Sequence, residues 1–283
     1  MDNEIDRPRE IAIGKLKKSI SKELWDINEK FIEHLKARIK NHSLAQNPII
    51  QQLNNGSFNL EALKNIHLEY RHAIVQVFTD ALLMAQYQSR QLEPRLPAGT
   101  KMIARFLLTL NVLDEFGFQP STDSNHYYQG NPADAHYPLF ETVLDDLKIS
   151  VEERENYQPS QIAKDVRQFL ENNYDAYSAV VALLAVAEQQ VILYSPPLRQ
   201  ASKSVGLNVD HGYYYVHGIS SDNSTLAADD DHENDLWFTL IQACTPEIYG
   251  SIESMCMHYC DLWHHFWLYQ SEMNAKLTSF YLK

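Results

Sequence analysis

Residues 179–193, Ala-Val-Val-Ala-Leu-Leu-Ala-Val-Ala-Glu-Gln-Gln-Val-Ile-Leu, decide how the chain is read. From Ala179 to Ala187 every side chain is apolar, with no polar position at a spacing of two or of 3.6. A segment apolar all round belongs to a helix buried on every side or to a membrane span. Nine residues are too few to cross a bilayer, so the segment reads as the central helix of a bundle. Glu188 follows as the first charge after Asp175. An unpaired carboxylate at that depth costs several kcal/mol or takes up a proton. Glu188 therefore reads as a metal ligand. The competing reading is an acid at the bundle's end facing water, with Gln189 and Gln190 continuing a polar patch.

Working outward, helical periodicity dominates and no hairpin signal stands out. Apolar residues recur every three to five positions from Pro8 to Lys40, giving one amphipathic helix or two with a bend. Further helices are expected over Leu60–Arg90, after Pro97 with a stop at Gly117, over Ala133–Leu147, Pro159–Asn172, Tyr174–Leu193, Leu226–Ala243, and from Pro246 onward. Residues 118–134 read as a long loop. Ser195-Pro196-Pro197 reads as a helix breaker, and Tyr213-Tyr214-Tyr215-Val216 as the start of a helix. The expectation is an all-α bundle of seven to nine helices. With 45% hydrophobic residues, nine glycines in 283 residues, no Gly/Ser linker and no repeat, it forms a single domain over 1–283. Within it, 1–44 is an N-terminal helical extension and 45–283 the main bundle.

Composition narrows the function. A net charge of −13 argues against nucleic acid, whose phosphates demand clustered cations. The charged N-terminus lacks the apolar core of a secretory signal, so a cytoplasmic protein without a membrane span is expected. Cys244, Cys256 and Cys260 are odd in number and lack framework spacing, and read as packing residues.

Acids and histidines on otherwise apolar helical faces are the remaining candidates. Leu108, Val112 and Glu115 are spaced four and three, which puts Glu115 on the apolar stripe while the adjacent Asp114 points elsewhere. A carboxylate near a helix C-terminus is disfavoured by the macrodipole, which adds to the case for a cation. His136 opens the helix after the loop, with His126 in the loop as its competitor. His217 ends Tyr-Tyr-Tyr-Val-His. Asp229 and His232, three apart, share a helical face, with Asp230 and Glu233 as rivals to Asp229 and a solvated acidic face as the plain alternative. Glu69 and His72 form a Glu-x-x-His pair, a weak motif that surface ion pairing also explains. His264 and His265 are neighbours that cannot share a face, and read as packing.

Taken in order, Asn111-Val-Leu-Asp-Glu-Phe-Gly117, His136 before Leu139-Phe140, the apolar helix bearing Glu188, and Tyr215-Val-His217 leading to Asp229-x-x-His232 resemble the heme-oxygenase-like di-iron oxidases. These are relatives of the TenA, PqqC and CADD-like helical bundles. The resemblance covers roughly residues 45 to 270. It implies a heme-oxygenase-like bundle holding two iron ions (Fe2+/Fe3+) on Glu115, His136, Glu188, His217, Asp229 and His232, with Glu69 as an additional ligand and no catalytic residue beyond the ligands. It further implies dioxygen as co-substrate and a small substrate (an amino acid, an amine or a fatty acid) that is desaturated, cleaved at a C–C bond or N-oxygenated, and it admits a homodimer. The chain departs from the family in two places. The interval from Glu115 to His136 is long, which keeps His126 in play. So is that from His217 to Asp229, where residues 218–228 must loop out or Asp222 competes. The alternatives are a TenA-like metal-independent hydrolase of a thiamin-type heterocycle, with Cys244 or Cys260 as nucleophile, a cofactorless PqqC-like oxidase, and a purely binding bundle.

Overall fold

The computed structural model describes residues 7–217 and 226–281, with backbone alone for 120, 226–230 and 277–281. The N-terminal periodic stretch is two helices, α1 (Pro8–Lys17) and α2 (Lys22–Lys40). The Ser21 hydroxyl accepts from the Leu24 amide and caps the second. After a 3₁₀ turn at Ser43–Gln46 come α3 (Ile49–Asn54) and α4 (Leu60–Tyr70), the latter capped by Asn59. A π-helical turn at Arg71–Val75 divides α4 from α5 (Phe78–Gln88), where the sequence suggests one continuous rod. Next are α6 (Lys101–Glu115), α7 (His136–Asp146), α8 (Val151–Asn156) and α9 (Gln161–Glu171). The last are α10 (Tyr177–Ser204), α11 (Tyr213–Val216), α12 (Leu226–Ala243) and α13 (Tyr249–Tyr281). The all-helical architecture is as expected, though among the described residues it is divided more finely than seven to nine helices.

α10 is the axis of the bundle. Every side chain from Val180 to Ala187 is fully buried, and the helix as a whole packs against α3, α5, α12 and α13. Its length and composition would suffice to cross a membrane, but 78% of its most apolar window is buried by its own neighbours. Aromatic rings from α13 complete the core: Trp263, Phe266 and Trp267 are fully enclosed, and Trp267 stacks on Tyr194 at 4.3 Å.

Two expectations fail here. The helix does not break at Pro196-Pro197 but runs on to Ser204. Proline removes the bonds to the carbonyls four residues back, Ile192 and Leu193. Both of those residues are half-exposed, so water can serve their carbonyls. Beyond the prolines, Leu198, Ala201 and Ser202 are buried, and that packing holds the helix together.

The second failure is the loop at 118–134, which contains an antiparallel hairpin, β1 (Phe118–Thr122) with β2 (Tyr128–Gly130). No Asn-Gly announces its turn. The Asp123 carboxylate instead accepts from the amides of Asn125 and Tyr127, and His126 adopts φ +66°. The base of the hairpin is closed by two glycines. Gly117, at φ +77°, ends α6, and its carbonyl accepts from the Asn131 amide at 3.0 Å. A Cβ on Gly117 would lie 2.5 Å from the Asn131 carbonyl oxygen and 2.6 Å from the Ala135 nitrogen, and one on Gly130 would lie 2.8 Å from the Gly117 carbonyl oxygen. The excursion thus returns the chain to the end of α6, and α7 begins beside it.

Gly117→Ala should therefore destabilise the protein by at least the ~1 kcal/mol of a left-handed alanine, plus the cost of moving backbone that cannot yield cheaply. Urea denaturation measures this. An unchanged midpoint would mean that the hairpin base does not need the close approach.

Candidate metal centre

Glu115 is the last residue of α6 and His136 the first of α7, so the hairpin clasp sets them face to face. His136 Nδ1 lies 2.8 Å from Glu115 Oε1 and 3.0 Å from His217 Nε2. Three ligand atoms, one from each residue, fall within 4.8 Å of one another, and all three residues are buried. The helix termini suit this arrangement. The negative end of α6 at Glu115 meets the positive end of α7 at His136, which also favours the neutral, metal-binding form of the imidazole. Burial raises the Glu115 carboxyl, but attraction to His136, their hydrogen bond and the nearby His217 and His232 outweigh it and hold the group below the usual carboxylate range.

His217 is positioned by α11. Gly212 takes φ +65° to start that turn, and the His217 amide closes it on the Tyr213 carbonyl at 2.9 Å. Its imidazole packs between the Tyr213 ring (4.7 Å) and the edge of His136 (4.4 Å). Tyr214 anchors the turn from behind: its hydroxyl meets His67 Nε2 and the Ser202 hydroxyl, while His67 Nδ1 sits 2.6 Å from the Leu63 carbonyl. Burial pushes His67 down to about 4, against the pull of that carbonyl.

Glu188 reaches the same cavity from α10, and its Oε1 accepts from Asn111 Nδ2 at 2.9 Å. The cavity between Glu115, His136, His217 and Glu188 is only about 30 Å³ and is otherwise walled by aliphatic side chains (Ile74, Val75, Val191), Phe78 and the tyrosines Tyr70, Tyr137 and Tyr213. That is room for about one or two water-sized molecules. His232 stands at the rim, its Nδ1 3.9 Å from Asp114 Oδ2, and the same oxygen lies 3.7 Å from His136 Nε2. Asp114 thus faces both imidazoles on the side away from the carboxylate of Glu115.

Among the sequence candidates, Glu115, His136, Glu188 and His217 line one cavity, with His232 adjacent. The side chains of Asp229 and Asp230 lie outside the described residues, as does Asp222 together with residues 218–225. Glu233 points away: it accepts from Gln189 and from the Trp237 indole, each at 2.7 Å, near Lys36. His126 is exposed in the hairpin turn. Glu69 is buried but outside this group. It accepts from the Ser160 amide at 2.9 Å and from the Tyr157 and Ser160 hydroxyls, bracing the cap of α9. His72 is half-buried in the π-helical turn, and burial and then Arg167 lower it. His264 bonds to Asn47 Nδ2 at 3.2 Å, on the far side of α13's buried tryptophans. Sequence reasoning missed Asn111, Asp114 and His67. Asn111 carries a signal, an amide four residues before Glu115 on the same helical face. Asp114 and His67 carry none.

The donor set fits iron. Two imidazole nitrogens and a carboxylate oxygen are the ligand types of non-heme iron sites, with a further carboxylate at hand. A shared proton could relieve the crowding of one donor pair, whereas a divalent cation relieves all three at once.

The fold matches solved helical bundles of the TenA and CADD-like kind. A CADD-like protein of unknown function from Nostoc punctiforme superposes with a TM-score of 0.59 at 15% identity, covering 86% of this chain and 98% of that one. A TenA homologue from Pseudomonas syringae pv. tomato gives 0.58 at 12% identity, covering 88% and 93%. A TenA homologue from P. horikoshii gives 0.52 at 13%, covering 92% and 97%. At such identities the likeness shows the fold alone. No family model matches the chain, and no curated protein matches it by sequence.

The low His67 value predicts a pH effect. Neutral His67 is favoured in the folded protein, so its contribution is complete above pH 6.5 and is lost as pH falls towards 4, by up to about 3 kcal/mol. Urea melts across that window should fall more steeply for wild type than for His67→Gln. Parallel curves would show that His67 protonates as readily in the folded state as in the unfolded one.

Proposed function

We propose that this chain is a non-heme iron enzyme that uses dioxygen to oxidise a small organic substrate at a pair of iron ions. The observation that carries the reading is the buried meeting of Glu115 Oε1, His136 Nδ1 and His217 Nε2, with Glu188 in the same cavity. Glu115, His136 and His217 would hold one ion. Glu188 and His232, with the Asp229 carboxylate, would serve the second. Bound iron supplies the electrons that activate dioxygen.

The chain's own residues have definable tasks. Asn111 donates to Glu188 and fixes which carboxylate oxygen faces the cavity. Asp114 orients His136 and His232 from outside. Ile74, Val75, Phe78 and Val191 keep bulk water out of a space sized for a diatomic molecule. Burial raises the Tyr70 hydroxyl, and the carboxylates of Glu188 and Glu115 add to that, so it stays protonated and directs its hydrogen to Gln190.

The TenA-like hydrolase reading needs an activated thiol. All three cysteines are buried and none lines this cavity. Burial pushes Cys244 and Cys260 up to about 12, the opposite of what a nucleophile requires. One connected set of buried side chains runs from Ala12 to Trp267, which supports reading the chain as a single domain, and three free cysteines accord with work in the reducing cytoplasm.

Protein isolated anaerobically and loaded with ferrous iron should hold about two irons per chain and consume oxygen when offered the right amine, amino acid or fatty acid. Glu188→Ala and His217→Ala should lose metal outright, while Asp114→Asn should weaken metal binding by about 10–100-fold. Metal-free protein that hydrolyses a thiamin-type pyrimidine at full rate would overturn the proposal. One iron per chain with intact turnover would reduce it to a mononuclear site.

A further inference from the structure

α1 and α2 contribute no side chain to the metal cavity, yet together they hold the helix that brings His232 to its rim. α12 is gripped first at its far end. The side-chain amide of Asn28, fully buried in α2, donates to the carbonyls of Ile241 and Cys244 at 2.7 and 2.9 Å. Those carbonyls lie at the end of α12, where intrahelical donors run out. Nearby, the Ser19 hydroxyl between α1 and α2 accepts from Gln242 at 2.7 Å, and the Lys17 ammonium sits 5.7 Å from the centre of the Phe238 ring.

The near end is gripped by Arg9 of α1. Its Nε donates to Asp235 Oδ1 at 2.8 Å, its Nη1 lies 3.0 Å from Asp231 Oδ1, and its Nη2 donates to the Asp231 carbonyl at 3.3 Å. Asp231 and Asp235 are four apart, so one guanidinium spans a full turn of α12. Asp235 is 2% exposed, and its second oxygen has no hydrogen-bond partner among the described residues. Burial pushes its carboxyl up to about 7, and Arg9 opposes that rise. His232 lies on the gripped turn, about 60–100° round the helix from the two aspartates, with Nδ1 3.9 Å from Asp114. α1 packs on α6 as well as on α12, burying Ala12 and Leu16. It thereby fixes the helix bearing His232 against the one bearing Asp114 and Glu115.

We infer that α1 is the positioning element of the second metal half-site, and that Arg9 sets where His232 stands. His232 lies nine residues before Ile241, about 13.5 Å along the helix from the Asn28 clamp. A tilt of about 5° at that clamp carries His232 roughly 1 Å, beyond the ~0.5 Å that a metal-binding geometry tolerates. Arg9 removes that freedom, because among the described residues the buried Asp235 has no other cation to meet. The inference rests on the two-iron reading and concerns the half-site of Glu188 and His232, leaving the Glu115–His136–His217 group untouched.

Ferrous iron added anaerobically to the metal-free full chain tests it. Wild type should take up two ions. Arg9→Ala alone strands the Asp235 carboxylate, so it is combined with Asp235→Asn, which removes that charge. The double variant should keep native circular dichroism, hold the first ion as tightly as wild type and bind the second about tenfold or more weakly. Arg9→Lys, with one ammonium to meet Asp235 in place of the planar fork, should bind the second ion with an affinity between the two. A double variant that binds both ions like wild type, or that loses both equally, overturns the role of Arg9. Wild type that holds a single ion at saturation overturns the two-iron reading itself, a result seen before any variant is made.

Discussion

Three donor atoms from Glu115, His136 and His217 sit within 4.8 Å of one another inside a bundle whose walls there are aliphatic and aromatic. In so apolar a setting a carboxylate and imidazoles are tolerated only when each satisfies the others or a common cation. Much of the surrounding structure serves that demand. α6 stops at Glu115, α7 starts at His136, α11 stops at His217, and α10 brings up Glu188 already bonded to Asn111.

The junctions that carry these three donor atoms share a device. Gly117 precedes the hairpin that returns the chain to His136, and Gly212 precedes the turn that ends at His217; both have positive φ. Each lets a helix begin or end abruptly, so that a side chain at its terminus points inward at a fixed angle. Other groups flank those ends: Asp114 lies 3.7 Å from His136 and 3.9 Å from His232, and His67 with Ser202 holds the Tyr214 hydroxyl next to His217's turn. A site placed on helix ends gains helix dipoles of useful sign, and its precision depends on the tightness of those ends.

Strong local patterns were legible. The uninterrupted apolar run of α10, the 4-3 spacing that put Glu115 inward and Asp114 outward, and the stop at Gly117 each follow from helical geometry and burial cost alone. Where the reading failed, a long-range contact outvoted a local rule. Pro196-Pro197 should end a helix, yet the buried residues beyond them hold it. Residues 118–130 lack a hairpin's turn signature, yet the Asp123 side chain and the Gly117–Gly130 contact supply one. Glu69 and Glu115 look alike in sequence, each a carboxylate on an apolar helical face. Only the approach of Tyr157 and Ser160 makes the first a brace for α9.

The sequence by itself determined that the chain is a helical bundle with α10 at its centre, and that acids and histidines interrupt its apolar faces. Those conclusions rest on periodicity and on the cost of burying charge, which act over a few residues. Which of the acids and histidines meet was decided by tertiary structure. Glu115 and His136 are 21 positions apart, and His136 and His217 are 81, so their encounter depends on how whole helices are turned and clasped. Spacing along a chain carries little such information, because the entropic cost of closing a loop grows only slowly with its length.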